Sequence, residues 1–177
     1  MHSRDPLAHP EVLIRRVYAY VAYRIGHGHD AEDVTSATIE RALRYRASFD
    51  SRKGEPVSWA IGIARTCVDD HCRMQRTSLP LREEAAPEDL ATTTVVRLSV
   101  AAAIETLCPR DRELVALRYG ADLKTSAIGE LLGMTTNAVE VALHRCRDRL
   151  RTELGETPAP PVLPEPVRKH SAQVEAM

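Results

Sequence analysis

The stretch Thr125-Ser-Ala-Ile-Gly-Glu-Leu-Leu-Gly-Met-Thr-Thr-Asn-Ala-Val-Glu-Val-Ala-Leu-His-Arg145 concentrates side chains suited to reading another molecule. On a helix beginning near Thr136, residues Asn137, Glu140, His144, Arg145, Asp148 and Arg149 fall away from an apolar stripe. Asn can pair bidentately with adenine and Glu can accept from cytosine N4, while Arg145 and Arg147 are long enough to reach phosphates. A second set, Cys67, His71 and Cys72, is tested as a metal site and fails. Cys67 and His71 share a helix face, Cys72 points roughly 100° away, and a structural zinc wants four convergent ligands. There is no Gly-rich phosphate loop and no nucleophile–base pair in motif context, so neither an enzyme, a cofactor nor a metal is expected.

The elements that must position these residues follow from apolar spacing. Ile128, Leu131 and Leu132 form one short amphipathic helix, Gly133 permits the positive φ of a tight turn, and Met134 plugs the angle. Gly129 lets the next helix cross closely. Thr135 or Thr136 caps that helix, whose buried stripe is Val139, Leu143, Cys146 and Leu150. This is the pattern of a helix-turn-helix, whose second helix presents its N-terminal end to the major groove. Upstream, Val12, Val17, Val21 and Ile25 mark a helix ended by Gly26-His27-Gly28, and Asp30 is the expected cap of the next. That second helix presents Val34, Ala37, Thr38, Arg41, Ala42 and Tyr45. Residues 49–56 read as a polar loop, and a third helix runs from Val57 to Arg76 with Trp59, Ile63 and Cys67 at four-residue steps.

The chain has 177 residues, 44% hydrophobic but only 4% aromatic, which favours helices over strands. No apolar run reaches the roughly 20 residues of a membrane span, and four scattered cysteines suggest a reduced, cytoplasmic protein. The expected architecture is all-α, with two small helical domains at 10–77 and 100–155. A flexible linker at 78–99 joins them, and a Pro-rich, disordered tail occupies 156–177. Leu79, Leu81 and Leu90 are the linker residues able to dock. The formal charge is −1: residues 1–77 carry 12 basic and 10 acidic side chains, and residues 100–155 carry 8 of each. No segment can hold DNA tightly by phosphate neutralisation alone, so DNA binding needs a partner.

Both blocks together resemble the extracytoplasmic function (ECF) type of bacterial RNA polymerase sigma factor. The run DAEDVTSATIERALRYRASFD (30–50) is similar to the polymerase-binding helix of region 2, and WAIGIARTCVDDHCR (59–73) to the helix that melts and reads the −10 element. The run LCPRDRELVALRYGADLKTSAIGELLGMTTNAVEVALHRCRDRLR (107–151) is similar to region 4, the −35 reader. The resemblance implies core RNA polymerase and promoter DNA as partners, leaves room for an anti-sigma factor, and involves no membrane. Ser36-Ala37 stands where the family usually has Gln-Glu, and Thr66 where it has Asn. Glu140-Val141-Ala142 replaces a more basic run.

On this resemblance Asp30, Glu32, Asp33, Thr38 and Arg41 carry polymerase binding. Phe49, Arg52 and Lys53 form a pocket for unpaired bases, and Arg65, His71, Arg73 and Arg76 line the phosphate path beside it. Trp59 is assigned to the core rather than to base stacking. Thr136, Asn137, Glu140, His144, Arg145 and Arg147 face duplex DNA, with Arg110 and Arg112 either on the backbone or paired to Asp111 and Glu113. Two other readings stand beside this one: a stand-alone helix-turn-helix regulator, and an adaptor that docks on polymerase without reading promoters.

Overall fold

A computed structural model describes residues 5–77 and 92–155. Within them lie seven α-helices and no strand: α1 (Pro10–Ile25), α2 (His29–Arg44), α3 (Pro56–Thr77), α4 (Thr92–Glu105), α5 (Pro109–Val115), α6 (Thr125–Leu132) and α7 (Thr136–Glu153). The Pro-rich tail and Leu79, Leu81 and Leu90 lie outside the described residues. Helix α4 begins at Thr92, inside the segment read from sequence as linker.

Helix α1 opens on Pro10, whose fixed φ suits a first helical position and whose missing N–H would have had no partner there. It buries Leu13, Val17, Tyr20 and Val21, spaced by four, three and one residues. Val12, expected on this face, is 42% exposed. The five-residue step from Val12 to Val17 turns it roughly 140° off the row at about 100° per residue. Helix α2 starts at His29 with Gly28 at the cap, so Asp30 sits in the first turn rather than at the cap. Its carboxylate accepts from Gln75 Nε2 (3.3 Å) and faces His71 Nε2 (3.6 Å), both on α3. Ala31, Val34 and Ala42 face inward, while Ala37 and Tyr45 are exposed. Helix α3 completes this three-helix unit with Val57, Ala60, Ile61, Ala64, Cys67 and Val68; Trp59 and Ile63 pack partly buried against its edge.

In the C-terminal unit α5 continues into a π-helical turn, Ala116–Gly120, closed by Ala121 N donating to Ala116 O at 2.9 Å. The helix-turn-helix forms as the sequence implies. Gly133 adopts the left-handed conformation at φ 66°, and Thr135 Oγ1 accepts from Ala138 N at 3.2 Å, capping α7. Val139, Leu143 and Cys146 are buried beneath that helix. A Cβ placed on Gly129 would lie 2.6 Å from the Met134 carbonyl oxygen, a backbone atom that cannot swing aside. Gly129→Ala should therefore cost about 1–3 kcal/mol by overpacking the turn, read as a lower denaturant midpoint with an unchanged slope.

The two units share one apolar cluster. It runs from Val17, Tyr20, Val21, Ile61 and Val68 through to Leu114, Leu117, Leu123, Ile128 and Leu143.

Candidate nucleic-acid and polymerase interfaces

Helix α2 offers one polar face to solvent. Asp30 and Glu32 in its first turn and Asp33 just beyond it are exposed, with Glu32 Oε2 3.6 Å from His29 Nδ1. Acidic side chains there sit favourably against the positive end of the helix dipole. Arg41 is tied to Asp70 of α3 at 3.3 Å, and Arg44 to Glu40 at 2.7 Å. Thr38 does not belong to this face. It is fully buried, and its hydroxyl donates to the Val34 carbonyl at 2.7 Å, which satisfies it inside the core. The resemblance assigned Thr38 to the polymerase-binding face; its burial removes it from that face.

The loop between α2 and α3 departs from its expected role at one residue. Phe49 is buried and meets Trp59 edge-on, with ring centroids 5.6 Å apart at 62°. Phe49 is therefore not an open stacking surface, while Trp59 packs partly buried against the core and also lines the cavity beside the loop. Arg52 donates through Nε and Nη2 to both oxygens of Asp50 (3.0 and 2.9 Å), and its own amide adds a third bond at 3.0 Å. These bonds hold the Asp50 carboxyl down to about 2. An Arg52→Ala chain should return it toward 3.8, measured by NMR titration of the Asp50 side chain. Lys53 remains exposed beside this clamp. Ser48, Phe49, Asp50, Lys53, Ser58 and Trp59 wall a cavity of about 280 Å³, and α6 contributes Ala127, Glu130 and Leu131 to its far side.

Along α3 the expected phosphate-facing residues separate. Arg73 and Arg76 are exposed, with Arg73 Nη1 donating to Asp70 at 3.3 Å, while His71 is turned toward Asp30. Arg65 is directed elsewhere. Its Nε donates to Glu113 Oε1 at 2.7 Å and its Nη1 to the Leu131 carbonyl at 2.8 Å, both in the C-terminal unit.

Helix α7 keeps its polar face open. Thr136, Asn137, Glu140, His144, Arg145 and Arg147 are all exposed. At about 100° per residue, Arg145 and Arg147 lie roughly 80° to either side of the Asn137 direction, placing a cation on each flank of the reading face. Glu140 accepts weakly from Thr125 Oγ1 at 3.4 Å, and His144 Nδ1 lies 2.8 Å from Asp148. Arg149 pairs with Asp111 at 2.6 Å, fastening α7 to α5. Arg110 approaches Met134 Sδ at 3.8 Å, and Arg112 donates to the carbonyls of Glu105 and Leu107. Neither arginine pairs with a neighbouring carboxylate.

Sequence reasoning missed Glu113 as a long-range partner. It accepts from Tyr20 Oη at 3.2 Å, from Arg24 and from Arg65. Burial pushes the Tyr20 phenol far above its ordinary value, so it remains a neutral donor. Burial likewise raises the Cys146 thiol to about 11, which makes it unreactive. Among the described residues no group of His, Cys, Asp and Glu is arranged to hold a metal, and no helix is long and apolar enough to cross a membrane.

Comparison with known families matches both units in order: residues 11–78 fit Sigma-70 region 2, and residues 97–150 fit Sigma-70, region 4. The chain is an RNA polymerase sigma factor of the ECF type. It is 30% identical over 149 residues to the RNA polymerase sigma factor CarQ of Myxococcus xanthus, covering 80% of this chain and 84% of that one. The ECF sigma factor SigW of Bacillus subtilis is 26% identical over 157 residues, covering 78% and 83%. To the ECF sigma factor BldN of Streptomyces coelicolor it is 30% identical over 138 residues, 73% of this chain but only 52% of that protein's length. The fold of this sigma factor resembles that of RpoE in its complex with the anti-sigma factor NepR from Bartonella quintana. There the TM-score is 0.64 at 16% identity, covering 82% of this chain and 93% of that one. It also resembles CnrH bound to the cytosolic domain of CnrY, with a TM-score of 0.57 at 20% identity over 83% and 82% of the two chains.

Proposed function

We propose that this sigma factor binds core RNA polymerase in the cytoplasm and directs it to particular promoters, catalysing nothing itself. In this reading region 2 (α1–α3) docks on polymerase through the α2 face and opens the −10 element, and region 4 (α4–α7) reads the −35 element. The observation that carries it is the exposed polar face of α7, flanked by Arg145 and Arg147 behind a capped turn, on a chain that also holds a region 2 unit. The near-neutral charge supports dependence on polymerase, since free region 4 has 8 basic and 8 acidic side chains over 100–155 and gains little from counterion release.

Promoter-selective transcription with purified core polymerase tests the reading. Run-off product from a subset of promoters, absent without the chain, is the expected result. Operator binding without polymerase would instead indicate a stand-alone regulator, and polymerase binding with no promoter selection an adaptor.

A further inference from the structure

Val141 is an apolar side chain of α7 that takes no part in the core. It is 42% exposed, and among the described residues of α7 it is the one large apolar side chain left open. The buried residues Val139, Leu143 and Cys146 set the direction of the core. At about 100° per residue their mean lies roughly 170° from Val141, which therefore points almost straight outward. Asn137, His144 and Arg145 fall within roughly 60° of it, so it stands inside the polar face rather than at its edge. The neighbours that could fold over it are held elsewhere: Glu140 accepts from Thr125 Oγ1 at 3.4 Å, and His144 Nδ1 lies 2.8 Å from Asp148. A β-branched residue at an exposed helical position is also a poorer helix former than alanine, so local stability does not account for it.

We infer that Val141 reads the C5-methyl group of a thymine in the −35 element, as the apolar member of a face otherwise made of hydrogen-bonding side chains. The inference rests on the sigma-factor reading above and deepens it by naming a base at that site. Val141 lies in the second turn of α7, behind the Thr135 cap, toward the end that a helix-turn-helix lays in the major groove. Arg145 and Arg147 bracket the face with positive charge, which suits the phosphates bordering a groove. The thymine methyl is the apolar group displayed in the major groove, beside the donors and acceptors of the other base edges. An isopropyl group gains by covering that methyl. Against N7, O6 or N4 it loses, because it strips those atoms of water without offering a partner. Discrimination by Val141 thus has an attractive and a repulsive part.

The test uses holoenzyme and duplex promoter probes in which each upstream position is presented in turn as T·A and as U·A, on either strand. Uracil lacks only the methyl group, so each pair of probes isolates it. Wild-type holoenzyme should bind the thymine probe roughly fourfold more tightly at one position, the factor expected for burying one methyl-sized group. With Val141→Ala that difference should vanish, while helical circular dichroism is retained because alanine favours the helix. A thymine–uracil difference at no position, or one that survives in Val141→Ala, overturns the inference. So does weaker binding of Val141→Ala to core polymerase itself, which would make Val141 a protein contact. Wild-type holoenzyme that selects no promoter sinks the sigma-factor reading together with this inference. Selective promoter binding without a methyl effect sinks this inference alone.

Discussion

Asp33→Lys weakens core polymerase binding by at least tenfold while leaving the helical content unchanged. Asp33 is exposed just past the first turn of α2, between Glu32 and the buried Val34. The structure gives it no structural duty that a lysine would undo beyond a favourable dipole contact of roughly 0.3–1 kcal/mol. Placing the opposite charge in a surface that meets a complementary partner costs several kcal/mol in the complex, so the loss in affinity should far exceed the loss in stability. Titration of labelled chain into core polymerase at several salt concentrations checks this. The deficit should shrink as salt rises, because an interface charge is screened within about 10 Å at 0.1 M. An affinity equal to wild type at every salt concentration would remove α2 from the polymerase interface.

Glu140→Lys tightens holoenzyme binding to promoters of any upstream sequence. Glu140 lies on the open face of α7, and its carboxylate has a partner within the protein, Thr125 Oγ1 at 3.4 Å. A carboxylate in that position repels phosphate, and a lysine there adds one phosphate contact. The slope of log K against log salt should steepen by roughly 0.9, which amounts to about tenfold tighter binding at 50 mM salt relative to the high-salt limit. Glu140→Ala should move binding in the same direction by less. The measurement is holoenzyme binding to a promoter and to variants scanned through its upstream element, at two salt concentrations. If Glu140→Ala instead loses roughly 1–3 kcal/mol of discrimination at a single base pair, Glu140 reads cytosine and the repulsion account is wrong.

Much of the architecture was legible in the sequence because its causes are local. The turn at Gly133, the Thr135 cap and the stripe Val139, Leu143 and Cys146 depend on steps of four residues or fewer and form as read, while Leu150, the fourth expected member of the stripe, is only partly buried. Helical periodicity likewise put the polar side chains of α7 on one face, and all six candidate DNA contacts there are exposed. Where one residue of phase mattered, periodicity misled: Val12 was exchanged for Leu13 and Tyr20 on the core face of α1, because several apolar residues at neighbouring positions support more than one row. The resemblance placed Thr38 and Phe49 at binding surfaces, yet the first is fully buried with its hydroxyl on the Val34 carbonyl and the second is buried against Trp59.

The sequence by itself determined the local pattern of five of the helices (α1, α2, α3, α6 and α7), the turn and cap that aim α7, and the order of two units that matches sigma regions 2 and 4. Only the tertiary structure decided the partners of Glu113. Its bonds to Arg24 and Arg65 join residues 89 and 48 positions apart. A carboxylate beside Arg112 in the sequence has an obvious local partner, but the helix turns the two side chains to different faces. Docking of α5 on α1 then supplies donors that no spacing rule connects to it. Capping and periodicity act over one or two turns of chain, whereas a partly buried ion cluster exists only once the surfaces carrying its members have met.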